Sequence, residues 1–358
     1  MLADPAFANK CAEGRSETIN TCIACNQACL DRVFIGEVPS CLVNPRALRE
    51  IEYFGSKAAT CLKVAVVGAG AAGLTMAAEA AKRGHKVTLF EQSTRLGGLL
   101  NLASRIPDKT EFGELLRYLK TRIANHGVVV QLNASPMPKE LAEFDEVIIA
   151  TGVRPRLPNI DGIDHPNVVF YNEILSGKKS TGKHVAVIGS GGIGFDVSEF
   201  LIFDGPRKPE FDAFAREFGM SKNPDVSGSL ATKILSGIKP ACAVTMLQRS
   251  SGKSGNKLSL TSRWIKRQRL HNAGVKMLSG VTYRAINNDG LHVEIVGEAR
   301  LIEADTIVIC AGQVSNSDLA KALDVENISY RLIGDARQAG ELDAMRAIED
   351  ATRLAMDF

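Results

Sequence analysis

Cys22, Cys25, Cys29 and Cys41 fall within twenty residues as C-x2-C-x3-C-x11-C, and their type and spacing point to metal chemistry. Four-cysteine zinc sites usually pair two C-x2-C knuckles. Here three thiols crowd into eight residues with one distant fourth, a clustering that resembles iron–sulfur ligation. Soft, anionic thiolates suit iron corners, and one short loop can wrap three of them. The spacing therefore favours a [4Fe–4S] cluster, with zinc as the competing occupant. A disulfide framework is not expected in a large chain whose start, Met-Leu-Ala-Asp-Pro-Ala, lacks a basic leader and an apolar core. Cys11, Cys61, Cys242 and Cys310 stand singly, and Cys310, in the apolar run DTIVICAG, reads as a small core residue.

A second chemistry lies in two glycine turns. KVAVVGAGAAGL (63–74) is an apolar run, then Gly68-x-Gly70-x-x-Gly73, then a small-residue helix. KVTLFEQ follows and ends on Glu91 and Gln92. Together these make a full dinucleotide fingerprint. Gly68 permits the tight turn, Gly70 lets backbone approach a pyrophosphate, and Gly73 lets helix and strand pack closely. The helix N-terminus, entered through Ala69 and Ala72, offers N–H donors to phosphate. Glu91 stands where a carboxylate can accept from an adenosine ribose.

The pattern recurs. HVAVIGSGGIGFDVSEFL (184–201) gives Gly189-Ser190-Gly191-Gly192-Ile193-Gly194 after a second apolar strand. Its partner strand, AVTMLQRS (243–250), ends in Gln248-Arg249 with Lys253 nearby and no carboxylate. Cations there fit a 2′-phosphate, hence NADP(H), while a solvated strand-end charge is the plainer reading of Arg249. Two such turns imply two nucleotides, commonly a flavin and a nicotinamide. RLIGDA (331–336) brings Gly334-Asp335 beyond a strand and before a helix, where Asp335 could bond ribityl hydroxyls or simply cap that helix.

These motifs need elements to hold them. The fold expected is α/β: two Rossmann-like dinucleotide-binding domains of the flavin disulfide reductase type, with an N-terminal cluster loop. Residues 1–60 read as the cluster segment and linker, 61–170 plus 313–358 as the FAD domain, and 171–312 as the NADP(H) domain. Residues 204–240 carry four X-Pro bonds and read as an insertion with one short helix over EFDAFAREFGM. In RWIKRQRL (263–270) a solvated basic face is expected, with Trp264 and Ile265 turned inward. His126, His165 and His271 have no second ligand at metal spacing and receive no role.

Composition agrees with this plan. The chain has 358 residues, 45% hydrophobic and 23% charged, which excludes extensive disorder. Its net charge of +3 gives no field of the nucleic-acid-binding kind. The most membrane-like stretch, VAVVGAGAAGLTMAAEAA (64–81), contains three glycines and Glu79 and is better explained by the fingerprint. A cytoplasmic protein, binding neither membrane nor nucleic acid, is expected.

CIACNQACLDRVFIGEVPSCLVNPRA (22–47), the GAGAAG turn, GHKVTLFEQSTRLGGLLNLASRIPDKTEF (84–112) and AVIGSGGIGFDVSEFL (186–201) together resemble the bacterial NADPH-dependent 2,4-dienoyl-CoA reductases. These form part of the flavin/iron–sulfur branch of the old yellow enzyme family. The resemblance covers essentially the whole chain, and the cysteine stretch is its specific part. It implies that the four cysteines hold the cluster. It also implies that Gly68, Gly70, Ala72, Gly73, Glu91, Gly98, Leu99 and Lys109 contact FAD, and that Gly189 to Gly194 and Arg249 contact NADPH. The family's (β/α)8 (TIM) barrel, with FMN and the acyl-CoA site, is absent from this sequence, so the family's catalytic residues have no counterparts here. The implied role is electron input: NADPH to FAD to cluster, toward an FMN-bearing barrel of the same gene or a separate chain. Two departures stand out. Leu99 replaces a glutamine, which removes a side-chain bond to the flavin, and NKLSLTSRW (256–264) replaces the family's Gly-Lys-Thr-Thr-Gly-Trp.

Overall fold

The computed structural model describes residues 1–53, 57–203, 211–221, 223, 225–229, 240–340 and 343–357. Two units account for them: Met1–Ser104, Glu111–Arg154 and Gln313–Phe358 form the first, and Arg105–Thr110 with Pro155–Gly312 form the second.

The first unit is built on five parallel strands, β1 (Lys63–Val67), β2 (Lys86–Glu91), β3 (Val129–Leu132), β4 (Glu146–Ile149) and β15 (Arg331–Leu332), in the order β15-β4-β1-β2-β3. The apolar run of β1 is buried from Val64 to Val67 because helices cover a central parallel strand on both faces. The covering helices include α1 (Ala71–Lys82), α2 (Phe112–Asn125) and, near the C-terminus, α6 (Ala344–Leu354). Residues 64–81, the membrane-like stretch, are therefore β1, the glycine turn and most of α1. No helix among the described residues is long and apolar enough to cross a membrane.

The second unit repeats the plan with β6 (Val168–Phe170), β7 (His184–Ile188), β8 (Ala243–Leu247), β9 (Lys276–Leu278) and β13 (Thr306–Ile309), ordered β6-β13-β7-β8-β9 and parallel. Its helices include α3 (Gly192–Phe203), α4 (Phe211–Glu217) and α5 (Arg263–Asn272). An antiparallel meander, β10 (Val281–Asn287), β11 (Gly290–Ile295) and β12 (Glu298–Glu303), packs Val281, Leu291 and Val293 onto Ile188, Leu247 and Ile307 of that sheet. β5 (Val153–Pro155) and β14 (Gln313–Ser315) pair as a two-stranded sheet.

Two expectations change. The boundary expected at 170/171 lies at 154/155, because β6 pairs with β13 and the Arg156 N–H donates to the Gly312 carbonyl at 3.0 Å. In the stretch expected as cluster segment and linker, Ile23, Ala28, Leu42 and Val43 share one core with Leu74 and Met76 of α1. Of the two residues expected inward on α5, Trp264 is 60% exposed and Ile265 half-buried, while Arg269 is buried. Of the insertion at 204–240, most lies outside the described residues; its short helix is α4.

Candidate functional site

Each glycine turn can be tested by asking what a Cβ would meet. At Gly68, φ is +105° and a Cβ would lie 2.5 Å from the Ala150 carbonyl oxygen. At Gly73 it would lie 1.8 Å from the Gly68 oxygen. Both glycines are demanded by the chain's own packing. Gly70 is different: its backbone is extended (φ −78°, ψ −169°), and no atom lies within 4 Å of where a Cβ would stand. The second turn repeats the arrangement. Cβ atoms at Gly189 and Gly194 would meet the Cys310 and Gly189 oxygens at 2.3 and 1.9 Å, while Gly191 has open space. In both turns the chain itself leaves the middle glycine unexplained. That opening at a helix N-terminus fits a pyrophosphate lying against bare backbone.

Around the first turn the structure gathers most of the expected residues. The Glu91 carboxylate is buried and accepts the N–H groups of Ala69 and Ser93, both at 2.9 Å. The Gly97 N–H donates to the Ala69 carbonyl at 2.8 Å, and a Cβ on Gly98 would lie 3.1 Å from the Gly70 Cα. Leu99, half-buried, follows directly, and Gln92 is exposed. Gly334 comes equally close to Ala72, at 3.1 Å between Cβ positions. Asp335 does not cap α6; Asp343 does, accepting the Met345 N–H at 2.9 Å. The Asp335 carboxylate instead pairs with Arg346, and burial, aided by Asp343 and Asp350, raises its pKa against that partner.

Around the second turn, the strand end is organised by Gln248. Its Oε1 accepts the Ser190 hydroxyl, and its Nε2 donates to the carbonyls of Ser250 and Gly252, each at 3.0 Å. Arg249 and Lys253 are exposed on the turn that follows, and Gly192 and Ile193 open α3.

Lys109 groups with the second unit. Its ammonium lies 2.6 Å from Asp196 Oδ2 in a buried ion network that the sequence reading missed. Lys266 bridges Asp196 and Glu199 at 2.9 and 2.8 Å. Arg269 contacts Asp108 and Glu217, both at 2.5 Å. Burial alone would raise the Asp196 pKa, but Lys109 and Lys266 outweigh it and hold the carboxyl below its ordinary value. Two acids three residues apart on the otherwise apolar α3, answered by Lys266 and Arg269 three apart on α5, are the sequence signal of this network.

Cys22, Cys25 and Cys29 share one loop, and Cys41 follows on a separate stretch of chain. Ala24 and Asn26 take left-handed backbone (φ 53° and 59°), which curls the loop around Cys25. Amide hydrogens face the sulfurs: Ala24 N–H donates to Cys22 Sγ at 3.4 Å, Gln27 N–H to Cys25, and Val43 and Asn44 N–H to Cys41. Burial, with added repulsion from Cys41, Cys29 and Cys22, pushes the Cys25 thiol up to about 11. Burial likewise raises Cys41, with Cys22 and Cys29 adding to it. Among the described residues no three His, Cys, Asp or Glu side chains are grouped for a metal ion. Cys310, expected in the core, is buried, as is Cys242, whereas Cys61 and Cys11 are exposed.

Comparison with known proteins places this geometry. Residues 62–338 match the family described as pyridine nucleotide-disulphide oxidoreductase. A metal reductase of Desulforamulus reducens is 32% identical over the whole chain, which covers 53% of it. A cinnamate reductase of Clostridium sporogenes is 29% identical, again over the whole chain and 48% of its own length. Among solved structures, a 2-naphthoyl-CoA reductase complexed with 2-naphthoyl-CoA superposes with a TM-score of 0.86 at 30% identity, over all of this chain and 49% of that one. The chain thus spans about half the length of these relatives. The match implies FAD and a nicotinamide nucleotide as cofactors. The chain belongs to the pyridine nucleotide-disulphide oxidoreductase family.

Proposed function

We propose that this chain is the electron-input half of an NADPH-dependent flavin/iron–sulfur reductase of the 2,4-dienoyl-CoA reductase kind, whose FMN-bearing barrel and acyl-CoA site lie outside these 358 residues. The observation that carries it is the cysteine loop, whose flanking residues Ile23, Ala28, Leu42 and Val43 are packed into the core of the unit bearing the first glycine turn. Amide hydrogens aimed at the Cys22, Cys25 and Cys41 sulfurs are the usual support of cluster thiolates. In a [4Fe–4S] cluster each thiolate binds a different iron, so the four cysteines need not converge on a single ion. Cys22, Cys25, Cys29 and Cys41 would hold it.

When bound, FAD and the cluster convert the two-electron hydride of NADPH into single electrons. The chain's own part is placement. The open side of Gly70 admits the FAD pyrophosphate, Glu91 braces the turn through Ala69, and Gly98 and Gly334 close on Gly70 and Ala72. Gly191 offers the same cradle to the nicotinamide nucleotide, with Arg249 and Lys253 exposed beyond the strand end for its 2′-phosphate. The whole-chain likeness to a cinnamate reductase favours a second reading, in which the same input half serves an enoate-reducing barrel.

An anaerobic absorption spectrum with iron and acid-labile sulfide analysis tests the proposal. Flavin bands over a broad shoulder, both bleached by NADPH, are expected, together with about four irons per chain. Zinc in place of iron overturns the cluster, and dienoyl-CoA turnover by the chain alone overturns the placement of the substrate site elsewhere.

A further inference from the structure

The cysteine stretches are tied into the first unit by groups that are not cysteines. Upstream, Arg117 on α2 donates to the Ile19 carbonyl at 2.9 Å and to the Thr21 hydroxyl at 3.2 Å. Downstream, Arg46 reaches Glu79 on α1 at 2.8 Å. Two cross-ties then join the upstream stretch to the downstream one. The Ser40 N–H donates to the Ala28 carbonyl at 2.7 Å, each residue standing just before a cysteine, Cys41 and Cys29. Asn20, buried and two residues before Cys22, donates both hydrogens of its amide to carbonyls, those of Ala3 at 3.0 Å and Val43 at 2.9 Å. Val43 stands two residues after Cys41, and its own N–H faces the Cys41 sulfur. The Asn20 Oδ1 is buried with no partner among the described residues, so the two donations are the whole polar contribution of this side chain.

We propose that Asn20 is a positioning residue of the cysteine site, whose amide holds the Cys41 stretch beside the Cys22–Cys29 loop; this rests on the cluster reading above. Three of the thiols share one loop and the fourth comes from another stretch, so a common ligand set requires a fixed separation between the two. The Ala28–Ser40 tie fixes it at one end and the Asn20–Val43 tie at the other. The second is made by a side chain, and a substitution can therefore remove it. Without it the Val43 carbonyl loses that donor, and the Val43 and Asn44 amide hydrogens that face Cys41 can shift together with the chain that carries them.

The test is anaerobic reconstitution of the full chain with ferrous iron, sulfide and FAD, for wild type, Asn20→Asp, Asn20→Ala and Lys10→Met. The readouts are bound iron and flavin, the rate of iron loss to a ferrous chelator, and the low-temperature EPR spectrum of the dithionite-reduced protein. Asn20→Asp turns two donors into a carboxylate facing two carbonyls. It should release iron about tenfold faster than wild type, with altered g-values and unchanged flavin content. Asn20→Ala, which brings no charge, should release iron about fivefold faster. Lys10→Met controls for a loosened N-terminal stretch: it breaks the Lys10 bonds to Asp4 and to the Thr18 carbonyl, at 2.6 and 2.7 Å, and leaves the tie to Val43 intact. Its iron release should stay within about twofold of wild type. Release rates and EPR spectra unchanged in both Asn20 variants overturn the proposal while leaving the cluster reading standing. Equal acceleration in Lys10→Met, or flavin lost together with iron in both Asn20 variants, makes Asn20 a residue of the fold and overturns the proposal as well. A wild type that takes up no iron overturns the cluster reading, and this proposal with it.

Discussion

Gly191 and Gly194 lie three residues apart in one turn, yet alanine should have opposite effects at the two. At Gly191 the backbone lies outside the left-handed region and nothing stands within 4 Å of a Cβ. Alanine there restricts the unfolded chain and should leave the protein as stable or up to about 1 kcal/mol more stable. The new methyl would fill the space in which backbone meets pyrophosphate, so NADPH affinity should fall by about 100-fold. At Gly194 a Cβ would sit 1.9 Å from the Gly189 carbonyl oxygen, more than an ångström inside the closest normal approach, and the obstacle is backbone. The helix must withdraw from its strand, at a cost of about 3 kcal/mol or more. Urea denaturation monitored by circular dichroism gives the stabilities, and equilibrium titration with NADPH gives the affinities. Gly191→Ala binding NADPH within threefold of wild type would refute the cradle. Equal destabilisation of the two variants would refute the division of labour among the glycines.

Other consequences can be checked alongside. Glu79, buried on α1, receives Arg46 at 2.8 and 2.9 Å and Arg122 at 2.7 Å. Burial works to raise its pKa, but Arg122 and Arg46 outweigh it and hold the carboxyl at about 2, below its ordinary 4.5. A depressed folded pKa contributes stability above the unfolded pKa and loses it as pH falls from about 4.5 toward 2, worth roughly 3 kcal/mol at neutral pH. Glu79→Gln should therefore be less stable than wild type at pH 7, with the gap closing in acid; a gap independent of pH from 7 to 3 contradicts the pairing. Cys41→Ala should lose most of the bound iron while Cys310→Ala keeps it, measured by iron analysis of anaerobic preparations; full iron in Cys41→Ala would remove that cysteine from the ligand set. Trp264→Ser should change unfolding stability by less than about 0.5 kcal/mol, because the side chain is 60% exposed. A larger loss in urea denaturation would show that Trp264 packs inward after all.

How much of the site was legible depended on how local its causes are. The glycine turns could be read directly, since a strand, a tight turn and a helix N-terminus occupy adjacent residues and their constraints act on each other. Asp335 shows the limit of that reading. A carboxylate between a strand and a helix invited a cap, but Asp343 takes the cap and Asp335 turns to Arg346. Trp264 and Arg269 show the same limit from the other side. Hydrophobicity placed tryptophan inside α5, whereas acids on α3 and α4 draw Lys266 and Arg269 inward and leave the indole in solvent.

The linear order of residues alone determined the repeated nucleotide fold, the two middle glycines and the cysteine spacing, because backbone conformation and residue spacing are properties of a few consecutive residues. Tertiary structure decided the partners. Lys109 meets Asp196 across 87 residues, and Arg46 meets Glu79 across 33. Gln248 organises its turn through Ser190, 58 residues away. No local pattern encodes such pairs. They arise where sheet register and helix packing bring buried polar groups together, and each such group must find its opposite there because water cannot reach it.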